Sequence, residues 1–344
     1  MDSFRLGVLG FGRLARQYYA PALRGLRGVD ELLVADPLEA SREAARQALP
    51  GARVFADPGE LLAQRPRAVI VASPPSTHLA LWRAAARQGI PVLVEKPFVL
   101  NGQLAEAMGT PDEQALLMID FNRRFWPPYR QAAALVRSGT IGAIVKAELT
   151  LRVDVRPWCT VTTHRLDPAE GGALLDLGSQ VLDLATWLIG LEPCGLRAAV
   201  PAPDSPAGDV RIDLSFPGGA IARCSVAYGG PTGERFAIQG RLGRVRMADP
   251  NMGLHLERTP AASPRSTMSD LAILGWRGLF RSRSMSRRSI ALVIDAFVDG
   301  VRRSVPFSPG FADAARNTRL LEAAATSLEL GTSVELPAAR VVHG

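Results

Sequence analysis

The stretch RLGVLGFGRLA, residues 5–15, runs from an unbroken apolar segment straight into Gly10-Phe11-Gly12-Arg13-Leu14-Ala15. An apolar strand that empties into GxGxxA and then a helix is the context a dinucleotide-binding turn requires. Gly10 permits the tight turn and Gly12 lets a pyrophosphate approach the backbone. The small Ala15 allows close helix and sheet packing while the helix N-terminus faces the anion. Phe11, Arg13 and Leu14 complete the candidate turn. The next apolar run, ELLVAD (31–36), ends in Asp36, whose carboxylate can accept from the adenosine ribose 2′-hydroxyl and repel a 2′-phosphate. NAD is the expected cofactor, and Ser41 and Arg42 nearby leave NADP open.

Four further runs follow: ARVFAD (52–57), RAVIVAS (67–73), PVLVEKP (91–97) and ALLMIDF (115–121). Between them lie Ala/Arg/Leu-rich segments of helical composition, such as LEASREAARQAL and THLALWRAAARQG. Strands buried on both faces read as continuously apolar, and their alternation with helices calls for parallel crossovers. Residues 1–121 are therefore expected to form a doubly wound parallel sheet of Rossmann type. Beyond residue 121 the pattern changes. FWPPYRQAAALVRSG predicts a helix opened by Pro127 and Pro128, and VKAELTLRVDV alternates as a half-exposed strand does. The helical GGALLDLGSQVLDLATWLIG precedes the short strands DVRIDLSF, AIARCSVAY, RFAIQG and GRVRM, and two more helices close the chain. The expectation is an α/β protein with a second, α+β domain at 122–344 built on a large, mainly antiparallel sheet.

The 344 residues carry 47% hydrophobic and 21% charged side chains, which suits two folded domains and excludes disorder. MDSFRLGVLGFG lacks the pattern of a signal peptide, and no stretch is long and apolar enough for a bilayer crossing, so a cytoplasmic protein is expected without a membrane partner. Cys159, Cys194 and Cys224 are odd in number and widely spaced, and are read as reduced core thiols. No metal site is expected. The formal net charge of +7 is not spread evenly: residues 1–120 hold 13 basic and 13 acidic side chains, and much of the excess lies in WRGLFRSRSMSRRS (276–289). A local patch of this kind reads as a solvated loop, so no nucleic-acid partner is expected.

Among the 40 basic residues only Lys96 and Lys146 are lysine. Ligands in open α/β sheets sit beyond the carboxyl ends of the strands. Ser73, Pro74, Pro75 and His78 of SPPSTH, and Glu95 and Lys96 of EKP, should therefore border the nicotinamide half of a cofactor site. A lysine amine can change charge state in a desolvated site, whereas an arginine stays protonated. Lys96 is thus the candidate acid or base. His164 is a competing base from the loop VTTHRLDP, and Trp158 and Arg165 are candidate substrate contacts in the same segment.

Taken in order, GFGRLA, VADP, ASPPSTH, VEKP, FNRRF, GGALLDLGSQVLDL and the terminal PFSPGFADAARNTRLLEAAATSLELGTSVELP make the chain resemble the Gfo/Idh/MocA oxidoreductases over nearly its whole length. The resemblance implies a nicotinamide-binding Rossmann domain and a sugar-like or polyol substrate bound between the domains. It also implies a C-terminal sheet whose open face packs against a second subunit in a dimer or tetramer. It places Lys96 beside substrate and nicotinamide, Asp176 and Asp183 on the substrate-facing helix, and Asn122, Arg123 and Arg124 at the edge of the site. Where the family carries a histidine four residues after the Asp, this chain has Gln180. An i, i+4 spacing keeps Asp176 and Gln180 on one helical face, but an amide cannot take a hydroxyl proton. Two functions are consistent with that departure: hydride transfer at a hydroxyl-bearing carbon with Lys96 as acid or base, or a catalytically silent homologue that binds dinucleotide or sugar as a sensor.

Overall fold

The computed structural model describes residues 3–100, 102–154, 172–201, 209–248, 253–258, 272–274 and 282–337. Six strands form the first sheet: β1 (Arg5–Leu9), β2 (Glu31–Ala35), β3 (Arg53–Phe55), β4 (Ala68–Val71), β5 (Val92–Glu95) and β6 (Leu117–Asp120). They lie in the order β3-β2-β1-β4-β5-β6, and every pairing is parallel. Because side chains alternate across a strand, the sheet feeds two separate cores. Leu9, Leu33, Val69, Val71, Val94 and Ile119 point to one face, where Leu61, Trp82 and Phe311 cover them. Leu6, Val8, Val34, Ile70, Leu93 and Met118 point to the other, under Tyr19, Ala45, Val293 and Phe297. Covering on both faces is the physical reason these strands read as unbroken apolar runs.

A nine-stranded second sheet is built from β7 (Ile144–Val153), β8 (Gly195–Ala199), β9 (Val210–Ser215), β10 (Ile221–Tyr228), β11 (Gly233–Gly240), β12 (Gly243–Met247), β13 (Leu254–Arg258), β14 (Ala272–Leu274) and β15 (Val334–Glu335). Its order is β14-β13-β12-β11-β7-β10-β9-β8-β15. All described pairings are antiparallel except that of β7 with β10. One face is apolar: Ala147, Leu149 and Leu151 of β7 alternate with Lys146, Glu148 and Arg152. The helix Ser179–Ile189 buries Val181, Leu182, Leu184, Ala185 and Leu188, and the buried Cys224 thiol of β10 lies 3.9 Å from the Val181 carbonyl. Cys194, by contrast, is exposed, which corrects its reading as a core thiol: it sits at the mouth of β8 rather than on a strand's inner face. Cys159 lies outside the described residues.

Packing divides the chain into residues 1–125 with 283–318, and residues 126–282 with 319–344. A cut at residue 121 leaves 283–318 with the second sheet, yet these residues cover the first. Ile290, Val293, Ile294 and Phe297 of the helix Ser282–Arg303 pack on one face of the parallel sheet. Phe311, Ala314 and Ala315, at the start of the helix Phe311–Leu330, pack on the other. Among the described residues no helix is long and apolar enough to cross a membrane.

Trp82 is fully buried, edge-on to Phe98 at 5.3 Å and stacked on Phe311 at 6.1 Å. Its indole Nε1 has no hydrogen-bond partner among the described residues. Trp82→Ala should cost about 3–5 kcal/mol in denaturant unfolding. Trp82→Phe should cost much less, because it removes an orphaned donor along with some volume.

Candidate functional site

The turn after β1 is shaped by Gly10. Its φ of +92° is one L side chains avoid, and a Cβ there would lie 2.8 Å from the Ser73 backbone. Gly10 N donates to Ala35 O at 2.8 Å, drawing the loop against the end of β2. Around Gly12 a Cβ would meet nothing within 4 Å, so the backbone there lies open to an approaching group. Phe11 is buried, and Arg13 and Leu14 are half-buried at the start of the helical segment. That segment holds a π turn, Ala15–Tyr19, before the α-helix Ala20–Arg24. Asp36 is buried, and its carboxylate accepts from Phe11 N at 2.7 Å and Leu38 N at 2.9 Å. Arg42 donates to the carbonyls of Asp36 and Pro37, each at 2.8 Å, and is ion-paired with Glu39. Open backbone at Gly12 beside a carboxylate at the end of β2 is the donor and acceptor set that the pyrophosphate and ribose of a dinucleotide require.

Beyond β4, Ser73 hydrogen-bonds Thr77 through the two hydroxyls at 2.6 Å, and Pro74 and Pro75 open the helix Pro75–Ala86. His78 is fully buried. Its Nδ1 lies 2.8 Å from Pro97 O and its Nε2 2.9 Å from Ser73 O. Two carbonyls favour a second ring proton, but burial outweighs them and, with the Lys96 charge, holds His78 below its ordinary pKa. The ring therefore ties the β4 loop to the β5 loop rather than offering a free nitrogen to a ligand.

β5 and β6 end side by side, with Glu95 paired to Asp120. Both carboxylates are buried, at 5% and 1% exposure, and Lys96 follows half-buried with a cis bond to Pro97. Lys96 N donates to Glu95 Oε2 at 3.1 Å. Tyr19, fully buried, places its hydroxyl within hydrogen-bond distance of Asp120 Oδ2 and 2.9 Å from Glu95 Oε1. No local pattern marks Tyr19 or Asp120, since the tyrosine stands 76 and 101 positions from its partners.

Asn122 and Arg123 are half-buried in the turn Asn122–Phe125. Arg124 is buried, stacks 5.6 Å from the Phe121 ring and pairs with Asp313 at 2.8 Å. In the other unit, Asp176 lies in a π turn, Leu174–Gly178, and Tyr228 at the end of β10 donates to its Oδ2 at 2.9 Å. Gln180 is half-buried, and Asp183 is buried at 3% exposure. Tyr228, like Tyr19, is a functional neighbour that sequence reasoning passes over, because an aromatic closing an apolar strand reads as core. Trp158, His164 and Arg165 lie outside the described residues, as do residues 276–281 of the arginine-rich stretch.

With this geometry in place, comparison with known proteins is specific. Residues 4–115 match the model of the oxidoreductase family with an NAD-binding Rossmann fold, and residues 129–246 match the Gfo/Idh/MocA C-terminal domain. The chain belongs to the Gfo/Idh/MocA oxidoreductase family. Among curated relatives, the rhizopine catabolism protein MocA of Rhizobium meliloti is 29% identical over 202 residues, 58% of this chain and 61% of that protein. An inositol 2-dehydrogenase of Rhizobium meliloti is 30% identical over 196 residues, 56% of this chain and 57% of the other. This chain thus spans under two thirds of the length of these curated relatives. A crystal structure of an oxidoreductase from Agrobacterium radiobacter in complex with NAD+, L-tartaric acid and magnesium superposes with a TM-score of 0.81. It is 22% identical and covers 97% of this chain and 98% of that one, a likeness of fold.

Burial alone raises the Asp313 pKa, but the Arg124 charge and hydrogen bond, Arg316 and the Gly310 N–H together leave it below the usual carboxylate value. A depressed folded value contributes stability above the unfolded value and loses it as pH falls through the folded one. Asp313→Asn, which leaves Arg124 buried without its counter-charge, should lower unfolding free energy by about 3 kcal/mol at neutral pH. The gap from wild type should close below about pH 4.

Proposed function

We propose that the protein is an NAD-dependent oxidoreductase that moves a hydride between nicotinamide and a hydroxyl-bearing carbon of a sugar-like or cyclic polyol substrate. The single observation that carries this reading is the position of Lys96, one of two lysines in the chain, half-buried at the carboxyl end of β5 in an NAD-binding Rossmann unit. Bound NAD supplies the acceptor for a hydride in oxidation, or its donor in reduction. The Gly10–Leu14 turn accommodates the pyrophosphate, and Asp36 accepts from the ribose hydroxyl.

In oxidation the carbinol C–H breaks, its electron pair leaves with the hydride, and the hydroxyl proton passes to Lys96 Nζ as the carbonyl forms. In reduction Nζ returns that proton to the nascent alkoxide. Asp176, held by the Tyr228 hydroxyl, accepts from a second substrate hydroxyl, and Gln180 orients the substrate through its amide without exchanging a proton. Asn122 and Arg123 are further candidate substrate contacts. The inositol 2-dehydrogenase relatives support a cyclic polyol.

A second reading follows from Gln180. If its amide ends catalysis rather than rerouting it, the chain binds dinucleotide or sugar as a sensor. We also read the polar face of the nine-stranded sheet, with Lys146–Glu148 and Arg246–Glu257 ion pairs of 2.6 and 2.8 Å, as the self-association face of a dimer or tetramer in the cytoplasm.

Steady-state oxidation over a panel of inositols and sugars should show activity that Lys96→Ala lowers by about 10²–10⁴-fold, with cofactor binding retained in a nicotinamide fluorescence titration. Undiminished turnover in Lys96→Ala would remove Lys96 as acid or base. Activity that appears only on Gln180→His would select the silent reading. In the same titration Asp36→Ala should weaken NAD binding by about 10-fold or more, the loss of one charge-assisted hydrogen bond.

A further inference from the structure

Two buried carboxylates ending adjacent parallel strands pose a charge problem. Glu95 and Asp120 stand in register and are almost wholly out of water. Like charges that close cannot both ionise without great cost. Tyr19 makes the proton count explicit. Its hydroxyl oxygen is within hydrogen-bond distance of Glu95 Oε1 and Asp120 Oδ2. A phenol owns one proton, so it donates to only one of them. The other contact needs a proton that belongs to a carboxyl group. The carboxyl proton can sit on either acid, with Tyr19 donating to the other, and the surroundings select Asp120. Glu95 Oε2 already accepts from the Lys96 backbone N–H, which favours the charged form at Glu95. A protonated Asp120 therefore donates to the Tyr19 oxygen, and Tyr19 donates to an ionised Glu95. Asp120 Oδ1, buried with no hydrogen-bond partner among the described residues, fits a neutral acid far better than a carboxylate.

The surroundings agree. Burial first, and then the Glu95 charge, push the Asp120 carboxyl well above the ordinary range, the Tyr19 proton and the Lys96 charge opposing only in part. Burial and the same two carboxylates push the Tyr19 hydroxyl up, so it keeps its proton. Among the neighbouring ionisable groups, His78 is driven toward its neutral form, and Arg124 pairs with Asp313.

We propose that Tyr19, Glu95 and Asp120 form a buried relay holding one shared proton and one negative charge behind Lys96, and that this charge is the fixed counter-ion against which Lys96 exchanges its proton. The assignment of Lys96 rests on the function proposed above; the proton count does not. Glu95 accepts from the Lys96 backbone N–H, so the relay also anchors the residue that carries the amine. All three are positioning residues, acting through Lys96 rather than on the substrate.

The test pairs two conservative variants with a readout independent of turnover. Glu95→Gln removes the single negative charge and should move the midpoint of the kcat/KM pH profile to lower pH by about one unit or more. Asp120→Asn replaces one neutral group with another and should leave that midpoint within about 0.3 unit. Superimposable profiles for Glu95→Gln and wild type, or an equal displacement by Asp120→Asn, overturn the counter-ion role. Infrared spectra at neutral pH should contain the carbonyl stretch of a protonated carboxylic acid, shifted by exchange into D2O and lost in Asp120→Asn. Because the D2O shift is read on wild-type protein, it survives a variant that fails to fold, and its absence overturns the shared proton. If Lys96→Ala keeps full activity while the band is present, the catalytic reading fails and the proton count stands. Nicotinamide titration of each variant reports whether the cofactor domain is intact.

Discussion

Parallel pairing of β1, β4, β5 and β6 is the constraint from which the candidate chemistry descends. Strands that run the same way end on the same edge, so Gly10, Ser73, Glu95 and Asp120, dispersed over more than a hundred residues, arrive along one border of one sheet. Antiparallel pairing would scatter them to opposite edges. The apolar interiors of these strands hold that border in place: Leu9, Val71, Val94 and Ile119 on one face and Val8, Ile70, Leu93 and Met118 on the other leave no freedom for a strand to slip. A shift by one residue would invert every one of them.

That edge concentrates polar groups in a place with little water. The protein meets the resulting cost with shared contacts rather than exposure. Asp36 is satisfied by two backbone N–H groups and Asp313 by two guanidinium groups and a backbone N–H, while the His78 ring lies against two carbonyls and in its neutral form donates to one of them. Each of these groups joins elements distant in sequence, so the same bonds that repay desolvation also set the loops around the site. Arg124 illustrates the point: its Nη2 donates to Asp313, 189 positions away, a brace within its unit.

Much of this was legible in the sequence wherever the information is local. Continuous apolar runs announce strands covered on both faces, and GFGRLA announces the turn, because each depends on neighbours a few positions away. Pro127 and Pro128 open a helix for the same reason. What escaped is long-range. The parallel pairing of β7 with β10 inside an otherwise antiparallel sheet depends on a crossover that no local pattern marks. The return of 283–318 to the first sheet depends on which of two apolar faces lies open. Gly195–Ala199 and Val334–Glu335 are too short to show alternation. Tyr19 and Tyr228 read as ordinary aromatic core until their hydroxyls are seen on carboxylates, and the π turns at Ala15–Tyr19 and Leu174–Gly178, which hold Tyr19 and Asp176, leave no compositional trace.

The lysine economy of the chain has a practical consequence. Lys146 is exposed and paired with Glu148 on the polar face of the central strand β7, whereas Lys96 is half-buried at a strand end. Apart from the α-amino group, amine-directed isotope labelling would therefore install just two methylated nitrogens, in environments different enough to separate by resonance. The protein thus carries a built-in spectroscopic reporter at the candidate acid or base, with a second amine, ion-paired on the other sheet, as a comparison in the same spectrum.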